Sequence, residues 1–279
     1  PYSYSSVLWG NDAQRYHNAI VTTEPIKTAD RDELKALWAE LKGTGTYAAE
    51  ATKLLESKGY TIKDTYAPGG KFSSDPKTWD ILATSRAADT EAIVNTYDGL
   101  VEYDCENVMQ PALAESWEVS DDGLTYTFTL KEGLKFSDGS DLTVDDVVYS
   151  WKRAADPETA ADYSYMFNGI VGYGTEEGIQ VANVDGKFQV VLSAPCAYFL
   201  DLCAFPTFYV VSQDCVEAAA GYKDADGNIL NPGAWATEAG FVTSGAYTLE
   251  SWTHDESMTY VKNPNFYDAA NVTMDKLHF

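Results

Sequence analysis

Several groups of residues in this 279-residue chain have the types and spacing that chemistry requires. Asp224, Asp226 and Asn228 copy the start of a calcium loop, but Ile229 stands where the loop needs glycine and Trp235 where it needs a bidentate glutamate. Asp, Asn and Gly favour turns unaided, so a surface turn is expected there. The run Gly172-Tyr173-Gly174-Thr175-Glu176-Glu177-Gly178 has one residue too many for a dinucleotide loop and follows no clear strand. Cys105, Cys196, Cys203 and Cys215 show no CxxC spacing, and with the scattered His17, His254 and His278 they make a poor zinc set. Buried thiols or one disulfide are expected instead, and Cys196 or Cys203, seven apart in an apolar stretch, could join a pair. Any two of the 43 acids could form a glycosidase-like pair in space, yet none is singled out, and a solvated acidic face is the simpler reading. HExxH, GxSxG and P-loop strings are missing. The residues therefore point to no catalytic centre, no metal and no cofactor.

Charge and composition narrow the field further. Nineteen Lys and Arg against 43 Asp and Glu give a net charge of −24. Such a field repels phosphate backbones and anionic membrane surfaces, which excludes nucleic acid as a partner. An apolar fraction of 45% is ordinary for a globular chain, and a chain this long should bury roughly 75% of its unfolded surface. No apolar run reaches the length of a membrane span, and Pro1 to Gly10 lacks the regions of a signal peptide. Nineteen Tyr, 7 Trp and 11 Phe suit a ligand pocket or a core equally well. Tyr163, Tyr165 and Phe167 alternate, which could put them on one side of a strand or loop.

The elements that must position these residues follow from pattern. Asp30 with Glu33 has capping-box spacing, Leu34, Leu37, Trp38 and Leu41 recur at helical spacing, and Gly43 ends the run. A second helix is expected over residues 48–57, with Leu54 and Leu55 inward and Gly59 as its stop. Ala67-Pro68-Gly69-Gly70 reads as a linker, so residues 1–70 form an extension with a helical hairpin and residues 71–279 the main body. In that body, residues 125–130 alternate as a half-buried strand after the turn Ser120-Asp121-Asp122-Gly123. Thr143 caps a helix with Asp145 and Asp146 in its first turn and Val147, Val148 and Trp151 as its buried stripe. Residues 181–192 read as a hairpin around Asp185-Gly186, and 247–249 with 258–261 as another strand pair. The fold class is mixed α+β, rich in antiparallel pairing.

Several of these stretches together resemble a known family. Asp75-Pro76-Lys77-Thr78-Trp79-Asp80 followed by Tyr97-Asp98-Gly99-Leu100 is similar to the opening of the family-5 extracellular solute-binding proteins of ABC importers. Pro111-Ala112-Leu113-Ala114-Glu115-Ser116-Trp117 matches its best-known signature. The likeness runs on through Leu130-Lys131-Glu132-Gly133, Phe136-Ser137-Asp138-Gly139, Leu142 to Trp151, Ser244-Gly245-Ala246-Tyr247 and Lys262-Asn263-Pro264-Asn265. Arg153 with Asp156-Pro157 is most similar to the oligopeptide-binding branch.

This resemblance implies lobe I of a two-lobed, periplasmic-binding-protein-like clamp over residues 71–279, with the second lobe absent and weak binding by one lobe alone. It implies an extracytoplasmic receptor, periplasmic or lipid-anchored on the cell surface, that acts as a monomer, binds a small peptide and presents it to the membrane permease. Backbone pairing would hold the peptide. The candidate segments are Lys71-Phe72-Ser73 and Ser85-Arg86-Ala87, and Tyr163 aligns with a tyrosine that lines the peptide site of similar proteins. Arg86, where a small residue is common, would either select an anionic ligand or reach solvent. Dipeptides, nickel complexes and oligosaccharides are the other ligands the family suggests. From a different class, an acidic secreted carbohydrate hydrolase would need two carboxylates facing one cleft. Residues 1–70 could also be an interaction module of their own.

Overall fold

The structure of the chain is a computed structural model that describes residues 4–8, 11–15, 20–42, 44–67, 74–104 and 107–279, the first two of these segments through their backbone only. Strands β1 (Tyr4–Leu8) and β2 (Asn11–Arg15) pair antiparallel. A small unit follows: β3 (Val21–Thr22), α1 (Thr28–Leu41), α2 (Tyr47–Ser57) and β4 (Ile62–Lys63), with β3 and β4 paired. Its own core joins Ile20, Ile26, Leu34, Tyr47, Ala51 and Leu55, and Trp38 meets Tyr47 edge-on at 5.0 Å. The expected cap at Asp30 is not formed. Helix α1 starts earlier, from an extended Lys27, which leaves Asp30 in the first turn. There its carboxylate receives the Tyr60 hydroxyl at 2.6 Å and Lys58 at 2.9 Å, while Glu33 takes Lys58 at 2.8 Å. A tertiary partner has outcompeted the local cap. Gly59, at φ +87°, ends α2 as expected; Gly43 and residues 68–70 lie outside the described residues.

Strand β5 (Thr65–Tyr66) pairs parallel with β14 (Lys276–His278). Helix α3 (Ala87–Ile93) leads into the paired strands β6 (Val101–Tyr103) and β7 (Met109–Pro111). Strands β8 (Ala114–Val119), β9 (Thr125–Leu130), β10 (Val181–Val184) and β11 (Lys187–Val191) form an antiparallel sheet in the order β10-β11-β9-β8, with α4 (Val144–Ala155) between β9 and β10 in sequence. In β9 the apolar positions Tyr126 and Phe128 are buried, as the alternation predicts. Asp185 and Gly186 both take positive φ, +53° and +81°, the pair of values a two-residue hairpin needs to follow the strands' twist. Short helices α5 (Phe199–Cys203) and α6 (Gln213–Glu217) precede β12 (Tyr247–Thr253) and β13 (Ser257–Lys262), which with β14 and β5 form a second sheet in the order β12-β13-β14-β5.

Helix α4 opens on the expected Thr143 cap, completed as a capping box: the Thr143 backbone N–H donates to Asp146 at 2.9 Å. Its Trp151 is fully buried with Phe188 at 4.8 Å, Phe208 at 5.0 Å and Phe167 at 5.8 Å. Phe167 therefore belongs to the core, while Tyr163 is half-buried and Tyr165 exposed: the residues around them coil into a 3-10 turn, Ser164–Phe167, so the three do not share one side. Trp117 is likewise half-buried, and the innermost tryptophans are Trp79 and Trp151. Cys196, Cys203 and Cys215 are free thiols, and Cys105 lies outside the described residues. The Asp224 loop is a turn, with the Asp224 carboxylate taking the backbone N–H groups of Asp226 and Asn228, both at 2.9 Å.

The recurrent motifs converge on one place. Gly245 N–H donates to Thr96 C=O at 3.0 Å and Tyr247 N–H to Asn95 C=O at 3.1 Å. Asn263 Nδ2 donates to Gly245 C=O at 2.9 Å, and Asn265 Nδ2 to Ser137 C=O at 3.0 Å. A Cβ on Gly245 would stand 2.7 Å from the backbone of Thr96, and one on Gly99 2.8 Å from Tyr209. Gly99 is thus required by close approach and not, as its sequence context suggests, by a turn.

Beneath this lies a buried ion pair. Arg153 on α4 grips Asp80 with both terminal nitrogens, Nη1 at 3.2 Å, and Nη2 also donates to Pro232 C=O at 2.8 Å. Both side chains are almost wholly removed from solvent. Truncating one partner strands the other charge, so Arg153→Met should cost on the order of 3–5 kcal/mol, measured by chemical denaturation. Replacing both with apolar residues should recover most of that loss.

A second tether fixes the start of the same segment. Trp252 Nε1 donates to Asp75 Oδ1 at 2.9 Å, and His254 Nδ1 lies 2.7 Å from Oδ2. Burial alone would raise the Asp75 carboxyl, but the bonds from Trp252 and His254 outweigh it and hold the group below its ordinary value. A lowered folded pKa stabilises above the unfolded value and is lost as pH falls through the folded one. Acidification from about pH 5 to pH 3 should therefore destabilise the native chain more than the Asp75→Asn variant, as thermal melts across that range would show.

Candidate ligand-binding edge

After a turn over residues 80–83, residues 84–86 run outside any helix or strand into α3 and are held from behind. Leu82 N–H donates to Asp80 Oδ1 at 3.1 Å and Ala83 N–H to Asp80 C=O at 3.0 Å. Thr84 turns inward and donates its hydroxyl to the fully buried Asp89 at 2.6 Å. Along residues 82–85 buried and exposed positions alternate, so Ala83 and Ser85 face outward, and Ala87 is exposed as well. Asp80, Thr84 and Asp89 anchor the inner side, and Ser85 is left on the outer side of a short connecting stretch. Ser85 carries the chief consequence: its backbone N–H and C=O have no partner among the described residues.

Arg86 neither reaches freely into solvent nor presents an open charge. Its guanidinium lies 3.1 Å from Asp89 Oδ1, and Nη2 donates to Ser74 Oγ at 2.6 Å. The residue thus ties α3, of which it is the N-cap, to the segment entering from residue 74. Lys71-Phe72-Ser73, the other candidate pairing segment, lies outside the described residues.

Tyr163 comes to the same edge from far away in sequence. Asp162 N–H donates to Leu82 C=O at 3.0 Å, which lays the turn after α4 beside the segment carrying Ser85. The Tyr163 ring is braced edge-on by Phe205 at 5.3 Å and flanked by Tyr165 at 6.0 Å. Ser85, Arg86 and Ala87 are consecutive at the start of α3, with Arg86 in a supporting role, and Tyr163 follows the residue bonded to Leu82, three positions before Ser85. Thr84, Asp89 and Asp162 were not singled out from sequence. The Arg86–Asp89 spacing of three is a local signal that could have found one of them; the Leu82–Asp162 bond, spanning 80 residues, leaves none.

Among the described residues no three His, Cys, Asp or Glu side chains gather to hold a metal ion, and no helix is long and apolar enough to cross a membrane. What this stretch offers is the Ser85 backbone and, on the neighbouring turn, an aromatic surface, which suits non-covalent capture of an extended ligand.

Comparison with known proteins agrees with this geometry. The chain is 34% identical over 243 residues to the periplasmic oligopeptide-binding protein OppA of Salmonella typhimurium, which covers 83% of this chain and 42% of the relative. It is 30% identical over 217 residues to the probable deoxycholate-binding periplasmic protein YgiS of Escherichia coli, covering 74% of this chain and 38% of the relative. Among solved structures, OppA of Listeria monocytogenes bound to peptide superposes with a TM-score of 0.67 at 29% identity, covering 77% of this chain and 42% of that one. The chain spans about two fifths of the length of the curated relatives it matches. The model of the middle region of the bacterial extracellular solute-binding proteins, family 5, matches residues 108–279. With well over half of its residues inside that match and its fold superposing on the family's structures, the chain belongs to the family-5 bacterial extracellular solute-binding proteins.

Proposed function

We propose that this chain is part of an extracytoplasmic receptor that captures oligopeptides for an ABC importer. The backbone of Ser85, without a partner among the described residues, carries this reading. An extended peptide laid along it would pair with the free backbone groups of Ser85, as an added strand does, while Tyr163 covers one flank. Main-chain pairing is indifferent to side chains, which fits a receptor for peptides of many sequences. In this reading residues 71–279 act as the first lobe, and residues 1–70 are an extension docked through β5. Closure against a second lobe buries the peptide, and the closed clamp, a monomer, is what the membrane permease receives. Relatives named as periplasmic oligopeptide-binding proteins support both the ligand class and the compartment. The protein is a carrier and not an enzyme; a family composed of solute-binding proteins supports that.

Backbone pairing makes a sharp expectation. Ser85→Pro removes the N–H that a peptide carbonyl would accept, whereas Ser85→Ala keeps it. Calorimetric titration of the full-length protein with mixed tri- and tetrapeptides should show Ser85→Ala near the parent affinity and Ser85→Pro weaker by about tenfold. Equal affinities of the two variants would remove residue 85 from the pairing edge.

A further inference from the structure

Asp89, fully buried on α3, is bonded to the residues on both sides of Ser85. Its Oδ2 accepts the Thr84 hydroxyl at 2.6 Å, and its Oδ1 lies 3.1 Å from Arg86 Nη1. Oδ1 also receives Lys77 N–H at 3.4 Å, from further up the chain. The Thr84 hydroxyl in turn accepts Arg86 N–H at 3.1 Å. Arg86 C=O takes the backbone N–H of Thr90 at 3.1 Å and its hydroxyl at 3.2 Å. Both backbone groups of Arg86 are thus consumed, whereas those of Ser85 have no partner among the described residues.

Two anchors on one carboxylate leave the residue between them little freedom. Thr84 is drawn inward and buried, Arg86 is half-buried, and Ser85 is exposed. The hold extends further, because Arg86 Nη2 donates to Ser74 Oγ at 2.6 Å and the next residue, Asp75, is bonded to Trp252 on β12. A backbone that must be ordered when a ligand arrives loses affinity to that ordering, and one already held does not. Hydrogen bonds to a charged acceptor are the stronger kind, so a single buried carboxylate can supply this hold.

We propose that Asp89 is a positioning residue for peptide capture, a role that rests on the peptide-binding reading above. Buried and out of reach of the ligand, it holds Thr84 and Arg86 so that the backbone of Ser85 stands outward and ordered for pairing. Its loss frees both neighbours and lets Ser85 take many orientations. The effect is felt at the ligand through the Thr84 hydroxyl and the Arg86 guanidinium, not through a lost contact.

Calorimetric titration of the full-length protein with mixed tri- and tetrapeptides tests this, at a temperature where each variant is folded by circular dichroism. Thr84→Ser keeps the hydroxyl and should bind as the parent does. Thr84→Val, of nearly the same size without the hydroxyl, should bind about threefold more weakly, and Asp89→Ala about tenfold. Amide hydrogen exchange of the unliganded protein gives a second readout: Arg86 N–H should lose protection in Thr84→Val and Asp89→Ala and keep it in Thr84→Ser. A merely structural role would lower the melting temperature and leave affinity at the parent value, and that result overturns the proposal. Equal affinity of Thr84→Val and Thr84→Ser overturns it too, even where Asp89→Ala does not fold. In both cases the parent still binds peptide, so the peptide reading stands. A parent that binds none of the peptides overturns that reading and the role of Asp89 together.

Discussion

The buried pair of Asp80 and Arg153 is the constraint on which the rest of the binding edge depends. Asp80 opens the turn that precedes Ser85, and its carboxylate accepts from Arg153, from Leu82 N–H and, at 3.4 Å, from Trp235 Nε1. Arg153 closes the opposite side by binding Pro232 C=O. Three stretches distant in sequence, around residues 80, 153 and 232–235, thus meet at two charges. Such a pair adds little stability over a well-packed apolar replacement, since desolvation consumes most of the Coulombic gain. Its value is geometric: a bidentate guanidinium accepts one orientation of its carboxylate, so the edge has one position relative to α4.

From that anchor the edge is built by a chain of short-range satisfactions. Thr84 and Arg86 both turn to Asp89, which also receives Lys77 N–H at 3.4 Å. Inward polar groups find partners here, and the outward backbone of Ser85 has none among the described residues. An edge of this kind invites pairing and is ordinarily masked in soluble proteins. Its persistence beside a rigid core is what a receptor for extended ligands requires, because ordering the edge on binding would subtract from affinity.

The family's motifs do a different job. Asn95, Thr96, Gly245, Tyr247 and Asn263 bond mostly through backbone carbonyls and amides, and Lys131 donates to Ala112 and Ala114 C=O beneath the Tyr267 ring. Burial pulls the Lys131 ammonium below its ordinary value, yet the carbonyls and nearby acids leave it a place to stand. None of these residues belongs to the edge. They explain why relatives with ligands as different as oligopeptides and deoxycholate, by their names, share one frame.

Local chemistry made much of this legible in advance. The β9 alternation, the Thr143 capping box, the Asp185-Gly186 hairpin and the α2 stop at Gly59 are decided within a few residues, by pleat, orphan amides and positive φ, so they are written in the chain itself. Net charge and the missing catalytic strings likewise needed no coordinates. Where a distant partner competed, local reading failed: Asp30 left its cap for Lys58 and Tyr60, Gly99 proved to answer Tyr209, and Arg86 turned to Asp89 and Ser74. The binding edge belongs wholly to that second kind. The turn carrying Tyr163 lies beside Leu82 because Leu82 C=O accepts from Asp162, and Asp80 is held by Arg153; only the folded chain brings charges and amides over 70 residues apart within reach of each other.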